Sequence, residues 1–563
     1  MTELLTAAQM RAIEKAAIES GQVTGLELME RAGQGVVEAI FEEWPELAKS
    51  TGIAVVLCGP GNNGGDGFVV ARLFKEWGWN VEVFLYGDAN KLPSDARTNY
   101  DRWCKLGAVN DYLAELPDYL LTLNTEDRGV VVDALFGTGL TRPLSKDAQL
   151  KLMGFHSQMP VCFLHQVSVD VPSGNDSDSG RFLTDENDTF GAMHTELCVT
   201  FHRPRLGHYL GNPSFNSLRV KSIGLDELNE AARLRQLKEN LNKLFGFASG
   251  VKDTDEVRKL LYSGEGTSAL AESTKDYPAE LLTGPSEDTE KSLDSNKYSH
   301  GHAIVLTGGP GKTGAARLSA RGALRIGAGL VTLAVPPEAE TEVAAQVTAI
   351  MLQRVKGADA VSALLQDERL NTLCLGPGLG LERARDLVPV ALAARRSTVL
   401  DADALTAFAD DPHVLFSLLH ENCVLTPHGG EFARLFPDIS EKLLAAPTKG
   451  PAYSKVDAAR EAAVRAGCVI LFKGPDTVIA APDGLCSVNS AHYDRAAPWL
   501  ATAGSGDVLA GFITGLLARG FVPMQAAETG AWLHVECARL FGPGLIAEDI
   551  PEQLPEVFKQ LST

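Results

Sequence analysis

The chain has 563 residues, with 51 basic against 72 acidic side chains and a formal net charge of −21. That length exceeds one ordinary hydrophobic core and predicts about two to four domains. The acidic excess argues against non-specific attraction to nucleic acid or to a membrane surface, and if the substrate is itself anionic its basic contacts must be local.

The opening stretch, MTELLTAAQMRAIEKAAIESG, mixes acids and bases at helical spacing, unlike a secretory or transit peptide. The nine cysteines show no CxxC pair or other metal-ligand spacing, which argues against a zinc site and a disulfide framework. The longest apolar run, VLAGFITGLLA from Val508, falls short of the roughly 18 residues that span a bilayer. A cytoplasmic protein is expected.

From Ile53 the runs IAVVLC, VEVFLYG and GVVVDALFG alternate with the helical patterns FVVARLFKEWG and DARTNYDRWCKLG. Short apolar strands separated by amphipathic helices predict an α/β fold, a mostly parallel sheet with helices on both faces. VSVDV, ELCVTF and SLRVKSIG extend this half to Leu225. GPGNNGGDG, from Gly59 to Gly67, follows the first strand and opens a helix. Its glycines suit positive φ or close backbone approach, and the helix N-terminus favours an anion. A phosphate or dinucleotide site and a ligand-free tight turn both fit the loop taken alone. Two further strand ends add to it: DALFGTGLTRP places Asp133 beside a second glycine loop, and VDVPSG places Asp170 and Ser173 beside a third. Asn63, Asp133 and Ser173 supply hard oxygens with too little charge for a dedicated calcium cage, which favours a monovalent cation.

NNGGDG, DALFGTGL and DVPSG, in this order, resemble the NAD(P)H-hydrate (NAD(P)HX) epimerase domain, and the first domain is placed at residues 1–225. By that resemblance Asn62, Asn63, Gly64, Gly65 and Asp66, with Gly137, Thr138, Gly139, Leu140, Thr141, Arg142 and Pro143, cradle the dinucleotide hydrate. Asp170 contacts the substrate as the catalytic carboxylate, and Asn63, Asp133 and Ser173 hold potassium. Epimerisation at C6 requires a hydroxyl to leave and return on either face, which a carboxyl group assists by proton transfer. Arg205 stands where the family commonly has lysine.

Residues 226–297 are expected to form a linker, first helical and charged, then polar and poor in apolar side chains. A second α/β series runs through HAIVLTGG, GLVTLAVP, TLCLGPGLG, STVLDAD, CVLTPHGGE and CVILFKG and ends in helices. GGPGKTGAA is no Walker A loop, since Leu306 stands where the first glycine belongs. ATAGSGDVLAGF instead predicts a turn whose amides at Gly504, Ser505 and Gly506 stabilise phosphoryl charge, with Asp507 accepting a hydroxyl proton.

These motifs together resemble the ribokinase-like NAD(P)H-hydrate dehydratase domain, placed at residues 298–563. The resemblance implies nucleotide binding by Lys473, Gly474, Pro475, Asp476, Thr477 and Gly506, and hydrate contacts at Ala315, Gly378, His428 and Asp507. Gly429 replaces the usual proline of TPHPGE, and GSGD replaces the commoner GTGD. Taken together, the resemblances imply a bifunctional repair enzyme. Its first half equilibrates R and S hydrates; its second dehydrates the S form with ADP, as prokaryotic members do, and magnesium bridges the phosphates. A homo-oligomer is expected. The alternative is a kinase for a vitamin precursor or sugar fused to a non-catalytic dinucleotide-binding module.

Overall fold

The structure, a computed structural model, describes all residues except 1, 125–126, 159–162, 185–193, 212, 226–277, 287–288, 292–294 and 563. Two compact units emerge: one made of Glu3–Thr254 with Ala445–Ser454, the other of Met1–Thr2, Asp255–Leu444 and Lys455–Thr563. Among the described residues no helix is long and apolar enough to cross a membrane, and the described cysteines are free thiols.

In the first unit α1 (Ala7–Glu19) and α2 (Gly25–Glu43) each start in a capping box, Thr6 with Gln9 and Thr24 with Glu27, which satisfies two otherwise orphaned amides at each helix end. The β-branched run of β1 (Ile53–Cys58) leads into α3 (Asn62–Glu76), and β2 (Asn80–Leu85) into β3 (Asn110–Asp111). There follow β4 (Arg128–Ala134), β5 (Phe163–Val169), β6 (Thr195–Phe201) and β7 (Phe215–Lys221). The seven strands pair in the order β3-β2-β1-β4-β5-β6-β7, every pair parallel. Strand order reverses between β1 and β4, the crevice where such sheets bind ligands. The loops after β1, β4 and β5 therefore share one sheet edge, as the sequence predicted.

In the second unit β8 (Ala279–Leu281) lies inside the stretch assigned to the linker. Ala279 and Leu282 are buried there, and that apolar pair lets the segment pair with a sheet edge instead of remaining solvated. Residues 226–277 of the expected linker lie outside the described residues. Next come β9 (His302–Leu306), α4 (Gly314–Arg325), β10 (Leu330–Val335), β11 (Met351–Arg354), β12 (Thr372–Leu375), β13 (Ser397–Leu400) and β14 (Cys423–Leu425). The chain continues through α5 (Gly429–Leu435), α6 (Lys455–Ala466), β15 (Val469–Phe472), β16 (Asp476–Ala480), β17 (Cys486–Ser490) and α7 (Ser505–Ala518). Among these strands the order is β8-β17-β16-β15-β14-β13-β12-β9-β10-β11. Pairing is parallel except in the β15-β16-β17 meander.

Helix α7 is apolar all round and buried from Val508 to Ala518, as a helix inside a large core must be. It meets α4 through small residues. A Cβ on Gly511 would stand 2.2 Å from the Ser319 carbonyl oxygen, and one on Gly515 2.4 Å from Ile326 Cγ2.

Candidate active sites

Close approach, not unusual φ, explains the first glycine loop. None of Gly59, Gly61, Gly64, Gly65 or Gly67 has positive φ, which corrects half of the sequence expectation. A Cβ on Gly59 would lie 1.6 Å from the Leu135 carbonyl oxygen, and one on Gly64 2.0 Å from that of Gly59. The backbone of this loop is thereby pressed against the next, and α3 starts at Asn62 with its first-turn amides free for an anion.

Asp133 ends β4 fully buried. Its carboxylate accepts the Ser173 hydroxyl at 2.6 Å, the Ser173 amide at 2.8 Å and the Leu135 amide at 3.2 Å. Burial raises its pKa, and the bonds from Ser173 and Leu135 oppose that. The Ser173 hydroxyl also accepts the Phe136 amide at 2.9 Å, so Asp133 and Ser173 tie the second and third loops together. Asn63 Oδ1 and Asp170 Oδ2 both lie 2.9 Å from where a Cβ on Gly137 would stand, and Asn63 Nδ2 is buried without a partner.

Asp170 adopts φ 69°, a left-handed conformation uncommon for a non-glycine residue. Its Oδ2 accepts the Thr138 amide at 3.0 Å and its Oδ1 the Thr200 hydroxyl at 3.1 Å, with Arg205 Nη2 3.7 Å from Oδ1. His208 supports it from behind. Since His208 Nδ1 accepts the Arg205 amide at 2.9 Å, its Nε2 must donate to the Asp170 carbonyl at 2.7 Å. Burial pushes the His208 pKa down to about 4, which keeps the ring neutral. Asp66 is raised well above the usual carboxylate range by desolvation, then by Asp170 and Glu14. Gly139, Thr141 and Arg142 lie on the open side of the second loop, with Leu140 folded back by its amide onto the Gly137 carbonyl at 3.1 Å. Pro143 ends the segment, half-buried.

In the second unit Gly504 takes φ 88° and caps α7, so that Ser505, Gly506 and Asp507 form its first turn. Lys473 Nζ stands 3.4 Å from where a Cβ on Gly506 would be. It pairs with Asp401 Oδ1 at 2.7 Å and lies 3.8 Å from Glu431 Oε2. Burial works against the Lys473 ammonium, but Asp401, Glu431 and Asp507 outweigh it and hold the pKa above its ordinary value. Asp507 is pushed up to about 6, first by burial, then by Asp401, against the pull of Lys473, with Asp403 and Glu431 adding to the rise. One ammonium thus faces three carboxyl groups, Asp401, Glu431 and Asp507.

Ala315 and Gly378 meet beside this centre: a Cβ on Gly378 would stand 3.4 Å from that of Ala315. His428 caps α5, its Nδ1 accepting the Gly430 amide at 3.0 Å, and Glu431 closes the capping box onto the His428 amide at 2.9 Å. A Cβ on Gly429 meets nothing within 4 Å, so this turn has room for a side chain. Of the predicted nucleotide loop, Lys473 alone sends its side chain into the charged centre. Asp476 turns to Lys455 at 2.7 Å, and the Thr477 hydroxyl closes on the Gly474 carbonyl at 2.7 Å. Pro475 accepts the Ala491 amide through its carbonyl.

Sequence reasoning gave no role to Asp401, Asp403 or Glu431, although each sits in a quoted motif. The signal was there: Asp401 and Asp403 follow a strand, and Glu431 completes an N-cap three residues after His428. It also passed over Arg11 and Glu14 of α1.

Residues 25–207 match the family model described as YjeF-related protein N-terminus, and residues 303–554 match that of NAD(P)H-hydrate dehydratase. Over 583 aligned residues the chain is 33% identical to a bifunctional NAD(P)H-hydrate repair enzyme of Moorella thermoacetica, with 99% of this chain and 97% of that one covered. An NAD(P)H-hydrate epimerase of Rhodobacter capsulatus is 45% identical over 230 residues, 40% of this chain and 100% of its own length. A solved ADP/ATP-dependent NAD(P)H-hydrate dehydratase of Bacillus subtilis, co-crystallised with ATP and magnesium, is 28% identical. It covers 48% of this chain and 93% of its own, at a TM-score of 0.40.

Proposed function

We propose, from the premise that this chain belongs to the family of bifunctional NAD(P)H-hydrate repair enzymes, that its first unit interconverts the R and S hydrates and its second dehydrates the S form at the expense of ADP. That membership displaces the alternative of a small-molecule kinase fused to a non-catalytic module. A cytoplasmic setting, with free thiols, belongs to the same reading.

The observation that carries the second half is Asp507 beside Lys473 at the first turn of α7. Asp507 takes the proton from the C6 hydroxyl as that oxygen attacks the terminal phosphorus of ADP, and AMP leaves. Lys473 and the amides at the helix start stabilise the charge that builds on the phosphoryl oxygens. The phosphorylated C6–O bond then breaks. Phosphate departs with the bonding pair, the ring-nitrogen lone pair forms an iminium, and loss of a C5 proton restores the C5–C6 double bond. Asp401 and Glu431, carboxylates in excess over Lys473, would hold a magnesium ion carried in on the nucleotide, which would supply charge neutralisation on the phosphates.

In the first unit the amides opening α3 bind the anionic part of the hydrate, and Asp170 serves the C6 hydroxyl. Asn63, Asp133 and Ser173 would hold potassium. Asn63 Oδ1, which lies beside Asp170 Oδ2 at the Gly137 position, and the buried carboxylate of Asp133 are oxygens that suit such a cation, which would supply fixed positive charge where the loops meet. Incubation with mixed R and S hydrates, with and without ADP, tests the reading through recovery of reduced-nicotinamide absorbance. Full recovery requires both units, and with ADP the nucleotide product is AMP. Recovery that is independent of nucleotide, or a stable phosphorylated product, would overturn it.

A further inference from the structure

Epimerisation asks for more than Asp170 supplies. A hydroxyl must leave C6 from one face and water must return on the other. A single carboxylate tied to one loop reaches one face of a ring that does not turn over, so a second proton-transfer group is required, on another element.

Helix α1 is built to bring one. Its first turn is pinned to the third loop, where the Ala7 amide donates to Asp178 Oδ1 at 2.7 Å. The residue before its cap is laid against the Arg205 segment, with the Leu5 amide on the Pro204 carbonyl at 3.0 Å and the Leu206 amide on the Leu5 carbonyl at 3.1 Å. One turn further along, Arg11 Nη1 donates to the Thr138 carbonyl at 3.2 Å. The same residue, Thr138, gives its amide to Asp170, so α1 and the Asp170 carboxylate grip the second loop at one residue. Glu14 is three positions beyond Arg11 and hence on the same helix face. It is half-buried.

We propose that Glu14 is the second acid–base group of the epimerase centre, acting on the hydrate's C6 oxygen from the α1 side while Asp170 acts from the β5 side. In one direction the Glu14 carboxylic acid protonates the leaving hydroxyl. The C6–O bond breaks, water departs, and the ring-nitrogen lone pair makes the iminium. Water then adds to the opposite face and gives its proton to Asp170. The reverse direction exchanges the two roles, and solvent restores the starting protonation.

The electrostatics agree. Desolvation raises the Glu14 pKa first and Asp170 adds to it, while Arg205 and Arg11 oppose the rise. These groups and Asp66 are the charges that face it. A carboxyl so placed keeps its proton to higher pH than an exposed glutamate.

The inference rests on the proposed epimerase reading and is tested apart from it. Glu14→Gln, Glu14→Asp and Asp170→Asn are compared for R-to-S interconversion without nucleotide. A melting transition of the first unit unchanged from the parent serves as the check on its folding, and dehydration of pure S hydrate by the same protein shows that the second unit is intact. Glu14→Gln is expected to lower kcat by about 10²–10⁴-fold with KM little changed and to remove one limb of the pH profile. Glu14→Asp recovers part of the rate. Interconversion by Glu14→Gln at near the parent rate, or an unchanged pH profile, overturns the role of Glu14 while Asp170→Asn remains inactive. If Asp170→Asn also interconverts the hydrates normally, the epimerase reading of this site falls instead. A Glu14→Gln loss confined to KM marks a binding residue and likewise overturns the proposal.

Discussion

Replacing Asp507 by asparagine tests the second centre twice, because the carboxyl group that serves the reaction also burdens the fold. Burial and the neighbouring carboxylates raise it from 3.8 to about 6 despite Lys473. A shift of about 2 units corresponds to ~3 kcal/mol at most, reduced by solvent screening at this partly open position. The sign follows from linkage. The folded protein binds this proton more tightly than the unfolded chain, so the ionised group costs stability above pH 6. The cost shrinks as pH falls from about 6 towards 4 and is absent below the unfolded value. An amide carries no such cost. Asp507→Asn should melt later than the parent at pH 7 to 8, by about 2–4 °C per kcal/mol, and with it at pH 4. The amide cannot accept the hydroxyl proton either, so ADP-dependent dehydration should drop about 10²–10⁴-fold while epimerisation continues. In the parent, dehydration should fall about tenfold between pH 7 and pH 5, where a base with pKa about 6 is roughly one-tenth ionised. A variant that melts no later than the parent at pH 7, or a parent rate that stays flat down to pH 5, refutes Asp507 as a buried, charge-crowded base.

Asp170→Asn should leave S-hydrate dehydration at its normal rate and strand the R hydrate; asparagine tolerates the left-handed φ, so lost activity reports chemistry, not strain. Complete conversion of a mixed substrate by this variant would remove the assignment. Gly64→Ala forces a Cβ to 2.0 Å from a backbone oxygen and should cost the first unit about 1–3 kcal/mol or more, read as an earlier melting transition with epimerase activity lost. Ser173→Ala removes the hydroxyl bonds to Asp133 and Phe136. It should destabilise by about 1–3 kcal/mol and raise the potassium concentration needed for half-maximal epimerisation; an unchanged potassium titration would discard that ligand set.

The loops were legible because strand ends in a parallel sheet announce themselves: an apolar β-branched run, then glycine and a side-chain oxygen. Asp133, Asp170 and Asp507 each carry that mark. What sequence could not decide was which of its two readings of these glycines held, positive φ or close approach; the backbone of Leu135 against Gly59 and that of Gly59 against Gly64 decide for close approach. Nor could it tell which charges of α1 are solvated. Arg11 and Glu14 are spaced like any amphipathic surface, and only the seating of the helix at Asp178 and Pro204 turns that face inward. The strand at Ala279–Leu281 was hidden by its surroundings, a few apolar residues within a polar stretch.

The glycine seam between α4 and α7 has a mechanical consequence. Ala315 lies in the first turn of one helix and Asp507 in the first turn of the other, and the Ser319 hydroxyl donates to the Asp507 carbonyl at 2.8 Å across the seam. With Gly511 and Gly515 seated on neighbouring backbone and side chain, neither helix can slide without collision. The acceptor side of the dehydratase centre is therefore a fixed anvil. Any closing movement that nucleotide demands must be made by the opposing segment that carries Lys473, whose Gly474 and Pro475 remain exposed. On the proposed reading, the base at Asp507 is then held in place before nucleotide binds.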